Sequence, residues 1–249
     1  MTFRKNNKDI YELLASYPRK HPALPKEYQD IYVRHYKENR EGATRVSALA
    51  RKFEGWIHRK VAKSMRGGAG NKTLEIGAGT LNQLDYERPE IYDIAEPFQE
   101  LYKNSANLKY VRNIYSDISE IQHEKYDRIT SIGCFEHVED LPRMVYLTTG
   151  LLNKNGRLCI SIPNEGRLLW KAAYTVTTGR EFEKRYGLKY ETMIRHEHIN
   201  TADEIEQILK YYYKNVKLSL FGIGKTFSMF RYYECSVPKN RKGRFSGEP

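Results

Sequence analysis

The sequence predicts an α/β fold built on a doubly wound, mostly parallel sheet, and three observations carry that prediction. From residue 71 onward, short β-rich segments alternate with helical stretches. The first of these segments runs directly into a glycine loop, "LEIGAGT" (residues 74–80). The last two, "NVKLSLFGI" and "KTFSMFRYYECSV", follow each other after a short break and read as an antiparallel closing pair.

Taken in order, residues 1–70 form a helical leader. After the Pro-punctuated "YPRKHPALP", the positions Tyr28, Ile31, Tyr32, His35 and Tyr36 recur at helical spacing, as do Val46, Leu49, Ala50, Phe53 and Ile57. Two amphipathic helices are expected there. "RGGAGN" breaks the pattern, and the strand segments "TLEIG", "IYDIAE", "LKYVRN", "YDRITSIG" and "GRLCISIP" follow. With the closing pair they make seven strands over residues 71–237. An insertion over residues 164–198, rich in aromatic and basic residues such as Trp170, Tyr174, Phe182, Tyr186 and Tyr190, follows the fifth strand. That position is above the carboxyl edge of the sheet, where open α/β folds bind ligands, so the insertion is expected to act as a lid. Thr201 and Glu204 have capping-box spacing before an apolar helical stripe at Ile205, Ile208, Leu209 and Tyr212. Residues 238–249 read as a mobile basic tail.

The net charge of +11 is unevenly distributed. Residues 1–70 hold 16 Lys and Arg against 7 Asp and Glu, residues 71–163 hold 10 against 14, and residues 164–249 hold 16 against 10. An acidic core between basic flanks is suited to an RNA, an anionic lipid or a phosphorylated substrate, or else simply to solvation. Hydrophobic residues make up 40% of the chain, and no run of them approaches a membrane span or a signal peptide, so a cytoplasmic protein is expected. Cys134, Cys159 and Cys235 are isolated, with neither a disulfide framework nor a cysteine metal site indicated.

The glycine loop narrows the ligand. A phosphate loop needs Gly-Lys-Ser/Thr, but Gly79 is followed by Thr80 and Leu81; a dinucleotide loop wants a third glycine where Asn82 stands. Glu75, two residues before Gly77, would repel a pyrophosphate but can accept hydrogen bonds from an ammonium group or an ordering water. Glu96 ends the second strand, 19 residues beyond Gly77, where an acceptor for two ribose hydroxyls belongs. A ribose ligand with a cationic amino-acid tail and no phosphate satisfies both carboxylates. S-adenosyl-L-methionine has that chemistry.

On these motifs the chain resembles the class I S-adenosylmethionine-dependent methyltransferases, with a type 11-like domain. The resemblance covers residues 71–237 and rests on "LEIGAGT", "IAEP", "YSDI", "YDRITSIGCFEHVEDL" and "LLNKNGRLCISIPN", in that order. It implies a seven-stranded Rossmann-like sheet with an antiparallel last strand. It also implies cofactor binding by Glu75, Gly77, Ala78, Gly79 and Glu96, with Asp117 bonding the adenine amino group, Ile118 packing on the ring and the backbone near Gly133 touching the methionine end. Leu81 stands where many members have a further glycine. Each motif alone also has a plain structural reading: Gly77 and Gly79 as a tight turn, Asp117 as a helix N-cap.

Methyl transfer from a sulfonium chiefly requires alignment, and a base only where the acceptor must shed a proton. His198, His196 and His137 are the candidates, with Glu136 beside the last; "FEHVED" and "RHEHIN" both fall near the expected methyl group. Some metal-dependent O-methyltransferases use Glu-x-x-Glu-His with a distant His, but Gly133 occupies the first Glu position here, so no metal is expected. The expected acceptor is a small molecule, sugar or lipid precursor, methylated on oxygen. The alternatives are an RNA held by the basic flanks, and a non-catalytic regulatory protein that binds the same cofactor.

Overall fold

The computed structural model describes residues 9–29, 31, 48–65, 71–164 and 178–241. Among them, seven strands form one sheet: β1 (Lys72–Ile76), β2 (Ile91–Ala95), β3 (Asn113–Tyr115), β4 (Tyr126–Ile132), β5 (Leu152–Pro163), β6 (Tyr213–Ile223) and β7 (Phe227–Pro238). Their order is β3-β2-β1-β4-β5-β7-β6. The pairs from β3 to β5 are parallel, and β7 runs antiparallel between β5 and β6. The seven strands and the antiparallel close match the sequence prediction, and the reversal between β1 and β4 creates a switch point at the carboxyl edge.

Among the described residues, the helices whose bounds are described are α1 (Ile10–Ala15), α2 (Ala48–Ala62), α3 (Gln99–Tyr102), α4 (Leu141–Leu151), α5 (Thr178–Tyr186), α6 (Tyr190–Glu197) and α7 (Ala202–Tyr212). β1, β4 and β5 are buried on both faces; the alternation of side chains puts Leu74, Ile76, Ile129, Leu158 and Ile160 on one of them, where α4 and α7 cover them with Val145, Ile205 and Leu209. Each covering helix has a side-chain cap: Asp140 accepts the Arg143 amide, and Thr201 with Glu204 forms the expected capping box. No described helix is long and apolar enough to cross a membrane.

The opposite face departs from the sequence pattern. Only a 3-10 turn, Asn82–Asp85, follows β1, and only the one-turn α3 follows β2. The leader helix α2 covers part of this face, packing on β4, β5 and β7, with Val61 buried against Cys159 and Tyr232. A buried ion pair fixes the end of α2: the Arg128 guanidinium grips both oxygens of Glu87 and also donates to the Val61 carbonyl (3.2 Å) and to Ser64 Oγ (3.3 Å). A cation so placed answers the unpaired carbonyls and the negative end of the helix dipole.

Two further expectations need adjusting. "LKYVRN" is a 3-10 turn at Leu108–Tyr110 followed by the three-residue edge strand β3, which among the described residues pairs only with β2. Of the first leader helix, residues 26–29 and 31 are helical, and the rest lies outside the described residues. Residues 165–177 of the insertion, with Trp170 and Tyr174, and residues 242–249 of the tail also lie outside them. The described part of the insertion packs on the leader: Phe182 and Met193 bury against Leu24 and Tyr28, and the Tyr28 hydroxyl donates to the Lys189 carbonyl at 3.1 Å.

Candidate active site

The glycine loop leaves β1 at the switch point. Gly77 (φ +69°) donates its amide to the Ala95 carbonyl at 2.9 Å, and a Cβ on it would lie 2.5 Å from Cys134 Sγ. Only glycine fits there, on both conformation and space. Gly79 (φ +51°) faces open space, with nothing within 4 Å of the Cβ it lacks. Ala78 is buried beneath the loop. Leu81, at the further glycine position of the resemblance, adopts the left-handed conformation (φ +66°, ψ +29°) and is fully buried beside Leu84, Tyr92 and Ile94. The left-handed backbone is thus kept without the glycine.

Glu96 follows β2 with both carboxylate oxygens facing backbone amides, Oε2 on Gly79 at 2.9 Å and Oε1 on Phe98 at 3.0 Å. The exposed Phe98 ring stands beside it, a flat apolar surface missed in the sequence although "EPF" places it directly after the carboxylate. Glu75 lies differently from the expectation. It is buried, its Oε2 accepts the Tyr92 hydroxyl at 2.5 Å, and burial pushes its carboxyl up to about 8. Asp117 is exposed and caps the 3-10 turn Ile118–Glu120 through the Ser119 amide (2.8 Å), while Ile118 is built into the core. Gly133 (φ +59°) directly follows β4 and donates to the Ser161 carbonyl at 2.9 Å.

Directly after Gly133, Cys134 joins two half-sites. Its sulfur abuts Gly77, and its thiol is pushed up to about 12 by burial, reinforced by the carboxylates of Glu136, Glu96 and Glu75. The 3-10 turn Phe135–His137 then presents Glu136 and His137. Glu136 is almost fully buried, its Oε2 has no hydrogen-bond partner, and burial raises its carboxyl to about 8. His137 Nδ1 lies 2.9 Å from the Glu197 carbonyl, which accepts only a proton-bearing nitrogen. In the neutral ring this leaves the lone pair on Nε2, 3.9 Å from Glu136 Oε1.

His198 completes the cluster, its ring edge-on to His137 with centroids 4.6 Å apart. Burial, then the neighbouring His137 and His21, push its imidazole down to about 3, so it stays neutral. The ligand-type atoms of Glu136, His137 and His198 lie within 4.8 Å of one another, a set able to hold a divalent cation. His196 is not part of this group. It turns to the leader, its Nδ1 2.5 Å from the Pro22 carbonyl, while His21 Nδ1 meets the His196 carbonyl at 2.7 Å.

No protein-family model matches the sequence, and no curated protein matches it. Solved structures do match. The plantazolicin methyltransferase BpumL, in complex with a pentazolic desmethylPZN analog and SAH, is 16% identical with a TM-score of 0.59, over 93% of this chain and 98% of that one. A SAM-dependent methyltransferase from Thermotoga maritima is 18% identical with a TM-score of 0.50, over 75% of this chain and 95% of that one. An O-methyltransferase family protein from Burkholderia thailandensis is 12% identical with a TM-score of 0.53, over 94% of this chain and 69% of that one. The chain has the fold of the S-adenosylmethionine-dependent methyltransferases, as the sequence motifs imply.

Proposed function

We propose that this chain is an S-adenosylmethionine-dependent methyltransferase acting on a hydroxyl of a small molecule, sugar or lipid precursor. The observation that carries the reading is the Glu96 carboxylate at the switch point, bonded to the amide of the open Gly79. A dinucleotide or triphosphate would call for a helix N-terminus after β1 to receive its phosphates, and a four-residue 3-10 turn stands there instead. A ribose-bearing, phosphate-free cofactor fits this edge: Glu96 would accept its ribose hydroxyls, Phe98 offers its ring a face, and Gly77, Gly79 and Gly133 let the backbone approach. When bound, its sulfonium supplies an electrophilic methyl group.

The chain's own residues then handle the acceptor. Methylation of a hydroxyl oxygen would require that its proton leave to a residue of the chain. We assign that proton to His137 Nε2, ahead of His198, because the Glu197 carbonyl fixes the His137 tautomer with this nitrogen unprotonated. The buried Glu136 and the partly buried His198 flank it. A second reading of the same cluster is a divalent-cation centre held by Glu136, His137 and His198, favoured by the unpartnered Glu136 Oε2; such an ion would lower the acceptor's pKa.

The test is transfer of labelled methyl from S-adenosylmethionine into cell extract separated into small molecules, lipid, RNA and protein, with and without chelator. Label in the first two fractions supports the reading. Label confined to RNA points to the basic flanks as the binding surface, and binding without transfer points to a regulatory protein.

A further inference from the structure

Three carbonyls of the turn that carries Glu136 and His137 are answered by the two residues that follow His198. The Ile199 and Asn200 amides both donate to the Glu136 carbonyl, at 2.9 and 3.1 Å. The Asn200 side-chain amide donates to the carbonyls of Phe135 at 2.9 Å and Val138 at 2.7 Å. Asn200 is buried, and its remaining oxygen accepts the Tyr17 hydroxyl at 2.7 Å and, more distantly, Arg19 Nη1 at 3.4 Å. Arg19 completes the arrangement from the leader. Its Nη1 donates to the Ile199 carbonyl (2.6 Å), its guanidinium pairs with Glu204, and its amide donates to the Glu139 carbonyl at 2.8 Å.

The C-terminal carbonyls of a short helical turn have no partners within the turn, and buried ones must find donors elsewhere. Here one side chain supplies two of them in a fixed geometry. That geometry disfavours the isosteric substitutes: aspartate would face two carbonyls with acceptors only, and leucine would leave both carbonyls unanswered. The sequence holds no local signal of this, since the partners lie over 60 residues from the turn and over 180 from Tyr17.

We infer that Asn200 is a positioning residue that sets the His137–His198 pair, and that Tyr17 of the leader holds the Asn200 amide in its working orientation. The inference rests on the proposed role of that pair, and it gives the leader segment before residue 25 a part in the site. A base must sit within a few tenths of an ångström of its working position, and a displacement near 1 Å lowers a rate about a hundredfold.

The test uses the full chain with ¹⁵N-labelled histidines. Long-range nitrogen spectra report the tautomer of His137 and the ring-nitrogen shifts of His137 and His198 at one fixed pH. Asn200→Asp is expected to mix the His137 tautomers and to shift the ring-nitrogen signals of His198. S-adenosylhomocysteine affinity should stay within about threefold, while methyl transfer into extract falls about a hundredfold. Tyr17→Phe should move the same signals less. A folded Asn200→Asp protein with both histidines unchanged overturns the inference. If that variant does not fold, Tyr17→Phe decides: shifted ring-nitrogen signals of His137 and His198 support the inference and unshifted ones overturn it. Wild-type protein that transfers no methyl group, beside variants whose histidines do shift, would refute the functional reading and leave the positioning role standing.

Discussion

Glu96 accepts the Gly79 amide at 2.9 Å through one carboxylate oxygen and the Phe98 amide at 3.0 Å through the other, so a single side chain holds the loop after β1 against the turn after β2. Each oxygen has a second lone pair, and these are the acceptors we assign to two ribose hydroxyls.

Replacing Glu96 by Ala should therefore weaken S-adenosylhomocysteine binding by about 2–4 kcal/mol, the range for losing charge-assisted hydrogen bonds. Calorimetry checks this, with NAD as the competitor. Unchanged affinity, or tighter NAD binding, would remove Glu96 from the cofactor site.

Leu81 poses a contest of magnitudes. Leu81→Gly relieves a left-handed residue, a gain of about 1–2 kcal/mol, but empties a fully buried leucine site, a loss of about 2–5 kcal/mol. The loss should win, with net destabilisation of up to about 4 kcal/mol in urea unfolding. A more stable Leu81→Gly protein would show that backbone strain dominates at this turn.

What the sequence made legible, and what it hid, follows from range. The glycine loop, Glu96 and the capping box at Thr201 were readable because each depends on neighbours within a few residues or on a fixed interval. The thinning of the helices after β1 and β2 was not readable, because α2 from the distant leader takes over part of that face. Glu75 looked available from its place beside the loop, yet it is turned to Tyr92 by strand pairing with β2, which single-sequence spacing does not report. The meeting of His137 with His198, and the turning of His196 toward Pro22, likewise depend on long-range bonds through Asn200 and the leader.

The Arg128–Glu87 pair is buried on both sides, so removing one partner leaves an uncompensated charge. Glu87→Ala or Arg128→Met should each lower stability by about 3–5 kcal/mol, and the double replacement Glu87→Leu with Arg128→Met should recover much of that loss. Chemical denaturation of the three variants tests the coupling. Additive losses would mean that the two residues act independently.

Stability should also depend on pH with a definite sign. The Glu75 and Glu136 carboxyls are raised from 4.5 to about 8 in the folded chain, so between these values the folded state retains protons that the unfolded state has lost. Their contribution is present below pH 4.5 and fades as the pH rises through 8. His198 acts at the other end: its imidazole falls from 6.5 to about 3, so stability declines as the pH drops from 6.5 toward 3. Between 4.5 and 6.5 the two trends oppose each other. Urea midpoints should fall from pH 6.5 to 8 in the wild type and fall less in Glu75→Gln. Parallel curves would show that Glu75 titrates alike in the folded and unfolded states.

The last prediction separates the two histidines. With Nδ1 tied to the Glu197 carbonyl, His137 keeps Nε2 as its acceptor nitrogen, whereas burial holds His198 down to about 3 and makes it a poor proton acceptor near neutrality. His137→Ala should lower methyl transfer to an oxygen acceptor by about a hundredfold or more, with cofactor affinity nearly intact. Its rate should no longer rise with pH through the imidazole titration. His198→Ala removes a flanking ring rather than the acceptor nitrogen, so its rate should fall less and the rising limb should persist. The cation reading predicts a different pattern, in which both variants lose activity alike, chelator silences the wild type, and Mg²⁺ or Mn²⁺ restores it. A His137→Ala enzyme that keeps both rate and pH profile would leave alignment of donor and acceptor as the whole of this chain's contribution to transfer.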